Sequence, residues 1–223
     1  METQLHRQLK QLYAARGSRQ EESLGGFRID VMTADRLIEI QHGSLAAIRH
    51  KTVRLLADHR VLIVKPIVAR KRIIKLQRRG GDVVSQRWSP KRGQVLDLFE
   101  ELVFFTRVFP HPNLVLEVPL VEVEERRYPG HGNRRWRRPN DHEVEDLRLV
   151  RVASTHQFST AADLLRLLPT DLPEPFHTGQ LAHQLHVARR VAQRIAYCIR
   201  QTGAAVEVGK QGNARLYRLN PAA

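Results

Sequence analysis

Three stretches predict a mixed α/β core followed by a smaller unit of helices and a hairpin. The first is "GGFRIDVMTADRLIEIQHGS", residues 25–44, which reads as two short strands joined by a turn. The second is "RVLIVKPIV", a continuous apolar run of the kind a strand buried on both faces requires. It follows Leu45, Ile48, Leu55 and Leu56 at helical spacing. The third is a change of texture at Ser159, after which helical periodicity dominates until a closing pair of strands.

Leu5, Leu9, Leu12 and Tyr13 predict an opening amphipathic helix. A first strand falls within residues 20–24, and "FRIDVM" and "RLIEIQ" supply the next two. Gly43 ends the third strand and Ser44 suits the N-cap of "LAAIRHKTVRLLADH". "RKRIIKLQRRGGDVVSQRWSP" reads as a hairpin around Gly80-Gly81, "GQVLDLFEELVFF" as a third helix, and "NLVLEVPLVEVEE" as an alternating strand. "RRYPGHGNRRWRRPND" is a basic loop, and "VEDLRLVRV" returns to strand pattern. "STAADLLRLLP", "HTGQLAHQL" and "VARRVAQRIAYCIRQTG" then read as three helices, the last stopped by Gly203. "AVEVGKQGNARLYRL" turns at residues 210–213. Three helices and a hairpin are the order of a winged helix-turn-helix. The expected division is therefore 1–155 and 156–223.

Composition narrows the function. Of 223 residues, 37 are Lys or Arg and 23 are Asp or Glu, a formal charge of +14. A basic chain with 42% apolar residues fits a globular partner of a polyanion, above all nucleic acid. Residues 49–93 carry a local net of +12 and residues 94–125 a net of −6, a polarity that suits a surface orienting its partner. No apolar run reaches the roughly 18 residues of a membrane span. "METQLHRQLKQLY" lacks the apolar core of a signal peptide. The lone Cys198 excludes an internal disulfide and fits a reducing cytoplasm, in the apolar pattern of a helix where an inert thiol is expected. The eleven histidines lack the cysteine partners of a zinc site, and "RRGGD" lacks the Lys-Ser/Thr of a phosphate loop.

Within the first strand pair, Asp30 stands on one strand and Glu39 and Gln41 two apart on the next. Alternation places Glu39 and Gln41 on one face with Leu37, and Ile38 and Ile40 on the other. Antiparallel pairing brings Asp30 toward Glu39, and two carboxylates with a backbone carbonyl form the hard oxygen set that Mg²⁺ or Mn²⁺ takes. The plain alternative is a solvated strand face with Asp30 serving a turn.

The arrangement "RID" followed by "IEIQ" resembles the PD-(D/E)XK nuclease superfamily, in its E-x-Q form. The resemblance covers about residues 1–70 and implies a restriction-endonuclease-like mixed sheet with metal-dependent phosphodiester hydrolysis. It implies metal binding by Asp30, Glu39 and the Ile40 carbonyl, with Gln41 in place of the family lysine. It implies a further upstream acid, for which Glu21 comes ahead of Glu22 and Glu2. Glutamine brings no positive charge, so Lys51 and Lys65 are candidates for a migrated cation, the plainer reading of each being a surface or DNA-contact residue. His42 is expected to pack or cap. With its winged tail, the whole chain resembles an uncharacterised bacterial family joining such a core to a C-terminal winged helix.

In the tail, Arg189, Arg190 and Arg194 lie opposite Val191, Ile195, Cys198 and Ile199, the surface a recognition helix places in a major groove. Lys210 and Arg215 would bring the wing to phosphates, and Trp136 among the loop arginines would clamp a strand or stack on a base, a disordered basic loop being the alternative. A protein-binding winged helix is the alternative. The expectation is thus a Mg²⁺-dependent, cytoplasmic DNA endonuclease-like protein or a non-catalytic DNA-binding relative, with DNA and no membrane as partner. A homodimer is compatible with it.

Overall fold

The computed structural model describes residues 3–130 and 141–222. Helix α1 (Gln4–Tyr13) precedes strands β1 (Arg19–Leu24), β2 (Phe27–Met32) and β3 (Leu37–Ile40). Helix α2 (Leu45–Leu56) then leads to β4 (Val61–Val64), β5 (Ile67–Leu76) and β6 (Val83–Trp88). Helix α3 (Leu98–Leu102) precedes two long strands, β7 (Leu114–Pro129) and β8 (His142–Phe158). A 3-10 helix at Ala162–Leu167, helices α4 (Thr178–Gln184) and α5 (Arg189–Gln201), and strands β9 (Ala205–Gln211) and β10 (Ala214–Leu219) complete the order.

The first eight strands form one mixed sheet. β1, β2 and β3 run as an antiparallel meander, and β3, β4 and β7 are parallel. β7 pairs with β8 from Leu116 onward, so β4 and β5 share its other edge, β4 along Leu114–Glu117 and β5 along Leu120–Arg127. The expected single strand "RVLIVKPIV" is divided at Lys65-Pro66, because proline has no N–H for the ladder. All four residues of β4 are buried, as its unbroken apolar run requires. The hairpin at Gly80-Gly81 forms, with Gly80 at φ +67.

Two buried clusters lie on the two faces. Leu5 and Leu9 of α1 pack with Val31, Ile38, Ile40, Leu62 and Val64 on one. On the other, Leu37, Ile63, Leu116 and Phe99 pack with Leu55 and Leu56 of α2. That second cluster runs without interruption into Phe176, Leu181, Ala192, Ile195 and Ile199.

Three expectations need correction. The helix "GQVLDLFEELVFF" is a 3-10 turn at Val95–Asp97 and five residues of α3, after which Phe105 and Phe109 follow turns that bury both rings. Packing of the aromatic side chains overrides the helical period. The division at 155/156 falls inside β8, which continues to Phe158, and the C-terminal elements share their core with the sheet. The first of the three expected tail helices is 3-10.

Candidate functional site

The edge between β2 and β3 collects the polar residues. Ladder pairing joins Val31 to Ile38 and Met32 to Leu37, so Asp30 and Glu39 are the next opposed positions. Glu21 is the next position on β1, since Gln20 pairs with Val31 and Glu22 with Ile29. The ladder skips Glu21 and Asp30, and Glu21 has φ +59, uncommon and strained for a residue with a side chain. Ile29 and Val31 pack in different clusters, so β2 changes its presentation at Asp30. Glu21, Asp30 and Glu39 therefore form one row across three strands.

Asp30 occupies the gap left by the ladder. Its Oδ2 accepts from the Ile40 amide at 2.7 Å, and His6 Nε2 lies 3.1 Å from Oδ1. Burial works to raise the Asp30 pKa, but the His6 and Ile40 hydrogen bonds and the Lys51 charge outweigh it and hold the carboxyl below its usual range. A residue's N–H and C=O leave a strand on the same edge, so the Ile40 carbonyl shares this edge with Asp30.

Glu39 is buried, and its Oε2 forms an ion pair with Lys51 Nζ at 2.6 Å. Burial pushes its carboxyl up to about 7 against the Lys51 hydrogen bond and charge, and the Asp30 charge adds to the rise. Oε1 of Glu39 is buried with no hydrogen-bond donor, an arrangement that costs free energy unless something electropositive approaches it.

Lys51 reaches this point from α2, which starts at Ser44, whose Oγ accepts from Ala46 N. Its Nζ also donates to the Arg28 carbonyl. Lys51 thus stands on Glu39 rather than on an outer surface open to DNA. Lys65 sits elsewhere: buried, it donates to the carbonyls of His42 and Gly43 and lies 3.6 Å from Glu101. It ties down the β3–α2 turn. The side chain of Gln41 turns to the same place, its Nε2 donating to the Ser44 carbonyl at 2.6 Å. It braces the helix start, and its amide donor is engaged there.

Three residues of this site, His6, Lys10 and Arg28, were not singled out from the sequence. His6 and Lys10 lie four apart on α1, beside the inward Leu5 and Leu9. His6 meets Asp30, and the buried Lys10 meets Glu21, which Arg28 also contacts. Burial tends to raise the Glu21 pKa, but Lys10 and Arg28 hold it low. A polar i, i+4 pair on an amphipathic helix carries no signal distinguishing it from a solvated face.

Among the described residues, no group of three or more His, Cys, Asp or Glu side chains is placed to hold a metal ion. The oxygen set available is narrower: the carboxylates of Asp30 and Glu39, with the Ile40 carbonyl on the same edge. The undonated Glu39 Oε1 makes that set fit a hard divalent cation, with Glu21 engaged by Lys10 and Arg28.

The tail residues are dispersed. Arg189 and Arg190 are exposed at the start of α5. Arg194 is engaged within the chain: its Nη1 pairs with Glu100 of α3 at 2.6 Å in an exposed ion pair, and Cys198, one turn on, lies with Sγ 3.7 Å from the Phe99 carbonyl. The row through Arg194 is the side of α5 that docks on the sheet unit. Gln193 and Tyr197 are exposed on another row with Arg189. Lys210 is exposed on the hairpin, and Arg215 pairs with Glu207 at 3.1 Å. Trp136, its neighbouring arginines and Glu2 lie outside the described residues.

A family model described as "Domain of unknown function (DUF8091)" matches residues 3–159, ending just past β8. An "Uncharacterized protein" of Treponema pallidum (strain Nichols) is 32% identical over 227 residues, covering 99% of this chain and 86% of the relative. No solved structure matches. Among the described residues, no helix is long and apolar enough to cross a membrane.

Proposed function

The chain belongs to the DUF8091 family, and we propose that it is a divalent-metal-dependent DNA endonuclease-like protein that hydrolyses phosphodiester bonds. The observation that carries this reading is the pairing of Asp30 and Glu39 on adjacent strand edges, with Glu39 Oε1 buried and undonated and Lys51 Nζ at 2.6 Å from its other oxygen. Asp30 and Glu39 would hold a Mg²⁺ or Mn²⁺ ion with the Ile40 carbonyl. Such an ion supplies charge to a phosphate and acidifies water. Asp30 stays ionised for this task, fixed by the Ile40 amide and His6. Lys51 supplies the cation that Gln41 lacks, at the acid pair and on a helix rather than on β3. Glu21 orients Lys10 and Arg28 beside the pair.

The order after β8 supports a winged helix: a 3-10 helix, a bridge from Phe176 to Tyr217, two helices, then a hairpin. Arg189, Arg190 and Lys210 are its exposed cations for phosphates. Plasmid nicking in Mg²⁺ or Mn²⁺ tests the reading. Wild type should convert supercoiled to open circles, and Asp30→Ala and Glu39→Ala should each slow this at least about 100-fold. Equal rates in all three preparations would sink it.

A second reading has an observation of its own. Two of the three acids already have an ion-pair partner, Lys51 on Glu39 and Lys10 and Arg28 on Glu21, and Gln41 donates to Ser44. A protein that binds DNA on this scaffold without cutting would show salt-dependent binding, no cleavage with any divalent metal, and no effect of Asp30→Ala.

A further inference from the structure

The acidic and basic segments of the sequence meet in the structure. Glu122 and Glu124 of β7 lie in register with Arg70 and Arg72 of β5 on one side and with Arg151 and Arg148 of β8 on the other. Cross-strand partners share a face, so these residues form one patch on the sheet. Arg151 grips Glu122 through two hydrogen bonds of 2.8 and 3.0 Å, with Arg70 at 3.9 Å, and Arg72 holds Glu124. Arg148 contacts Asp146 at 3.3 Å.

The acids are the floor of this patch and the arginines its outer layer. Side chains of Glu122 and Glu124 are 10% and 21% exposed, whereas the four arginines are 38–61% exposed. The carboxylates hold each guanidinium in place and leave outward donors for another anion. Trp88 borders the same face, because β6 pairs it with Arg72. The Arg70 guanidinium carbon sits 4.3 Å from the Trp88 ring centroid, and the tryptophan is still 46% exposed. Arg78, Arg79 and Arg87 are exposed on the adjoining hairpin.

We propose that this open face, formed by Arg70, Arg72, Trp88, Arg148 and Arg151, binds a single strand of nucleic acid. The arginines take successive phosphates, and the free side of the Trp88 ring stacks on a base. Charge complementarity and the exposed ring select the occupant. A lone anion would need no aromatic platform, and a rigid duplex offers no unstacked base to one. Choosing DNA as the natural strand rests on the reading above, and the geometry connects the two sites. Glu39 lies in register with Ile63, and Ile63 with Leu116, on the sheet face that carries Glu122 six residues further along β7. At about 3.3 Å per residue, the patch begins roughly 20 Å from the acid pair.

The test is fluorescence anisotropy of labelled oligo-dT, oligo-rU and duplex DNA with the full chain in EDTA, so that failure to bind is separate from failure to cut. In a Trp136→Phe background, Trp88 is the one remaining tryptophan, and its emission should be quenched by oligo-dT. Trp88→Ala should weaken oligo-dT binding about tenfold. Arg148→Ala should lower the slope of log affinity against log salt by about 0.7, the value for one single-strand phosphate contact. That variant leaves Asp146 still accepting from Gln4 N and Leu147 N, so the fold keeps its partner. Arg107→Ala, an exposed arginine outside the sheet, removes the same charge and should change affinity less than twofold. Equal losses at Arg107 and Arg148, absent quenching, or preference for duplex would each overturn the proposal. Tighter binding of oligo-rU than oligo-dT would keep the face and overturn DNA as its occupant.

Discussion

At Glu39 burial and the Lys51 charge oppose each other. Its carboxyl is pushed up to about 7 by burial, so the folded protein holds that proton more tightly than the unfolded chain does. Stability therefore falls as pH rises from about 4.5 to about 7, by up to ~3 kcal/mol across the shift. Glu39→Gln removes the titration, and its urea stability should be flatter between pH 5 and pH 8 than that of wild type. A wild-type curve that rises over this interval would refute the assignment. The reason Asp30 and Glu39 were legible in the sequence is local: strand alternation and a short turn place opposed positions. Lys51, His6 and Lys10 arrive from helices, and no local rule says which helical residue overhangs a strand edge.

The β3–α2 connection is braced by hydrogen bonds from its own residues, from the end of β4 and from α3. Ser44 caps α2, Gln41 Nε2 reaches the Ser44 carbonyl, and Lys65 from the end of β4 reaches the carbonyls of His42 and Gly43. Glu101 completes the group by accepting from Leu45 N at 3.0 Å. Lys65→Ala removes the buried ammonium that donates to the His42 and Gly43 carbonyls and should destabilise the protein by about 2 kcal/mol in urea unfolding. An unchanged midpoint would mean that water replaces the lysine. The strands and α2 were legible because apolar period and caps are local signals. The third helix was not, because burial of Phe105 and Phe109 sets the path beyond Leu102. The break at Pro66 was available in the sequence, since a proline between apolar residues ends a ladder.

For the whole molecule, the governing fact is one buried cluster that runs from Leu37 and Phe99 into Ile195 and Ile199. Chemical unfolding should show one cooperative transition by tryptophan emission and by circular dichroism, and a chain cut after Phe158 should not fold to comparable stability. Cys198 offers an independent probe. It is fully buried, and burial pushes its thiol up to about 12. A thiol reagent should therefore label Cys198 only at the rate of global opening; fast labelling under native conditions would show that α5 separates from the sheet unit. By itself, the sequence determined the class of the core, the strand pair, the hairpins and the opposition of Asp30 to Glu39. Those follow from period, turn chemistry and register, which act within a few residues. Tertiary packing sets the rest: Lys51 stands on Glu39, Arg194 pairs with Glu100, and arginines of β5 and β8 cover the glutamates of β7. These contacts join elements 12 to 94 residues apart, and long-range packing, not local preference, selects them.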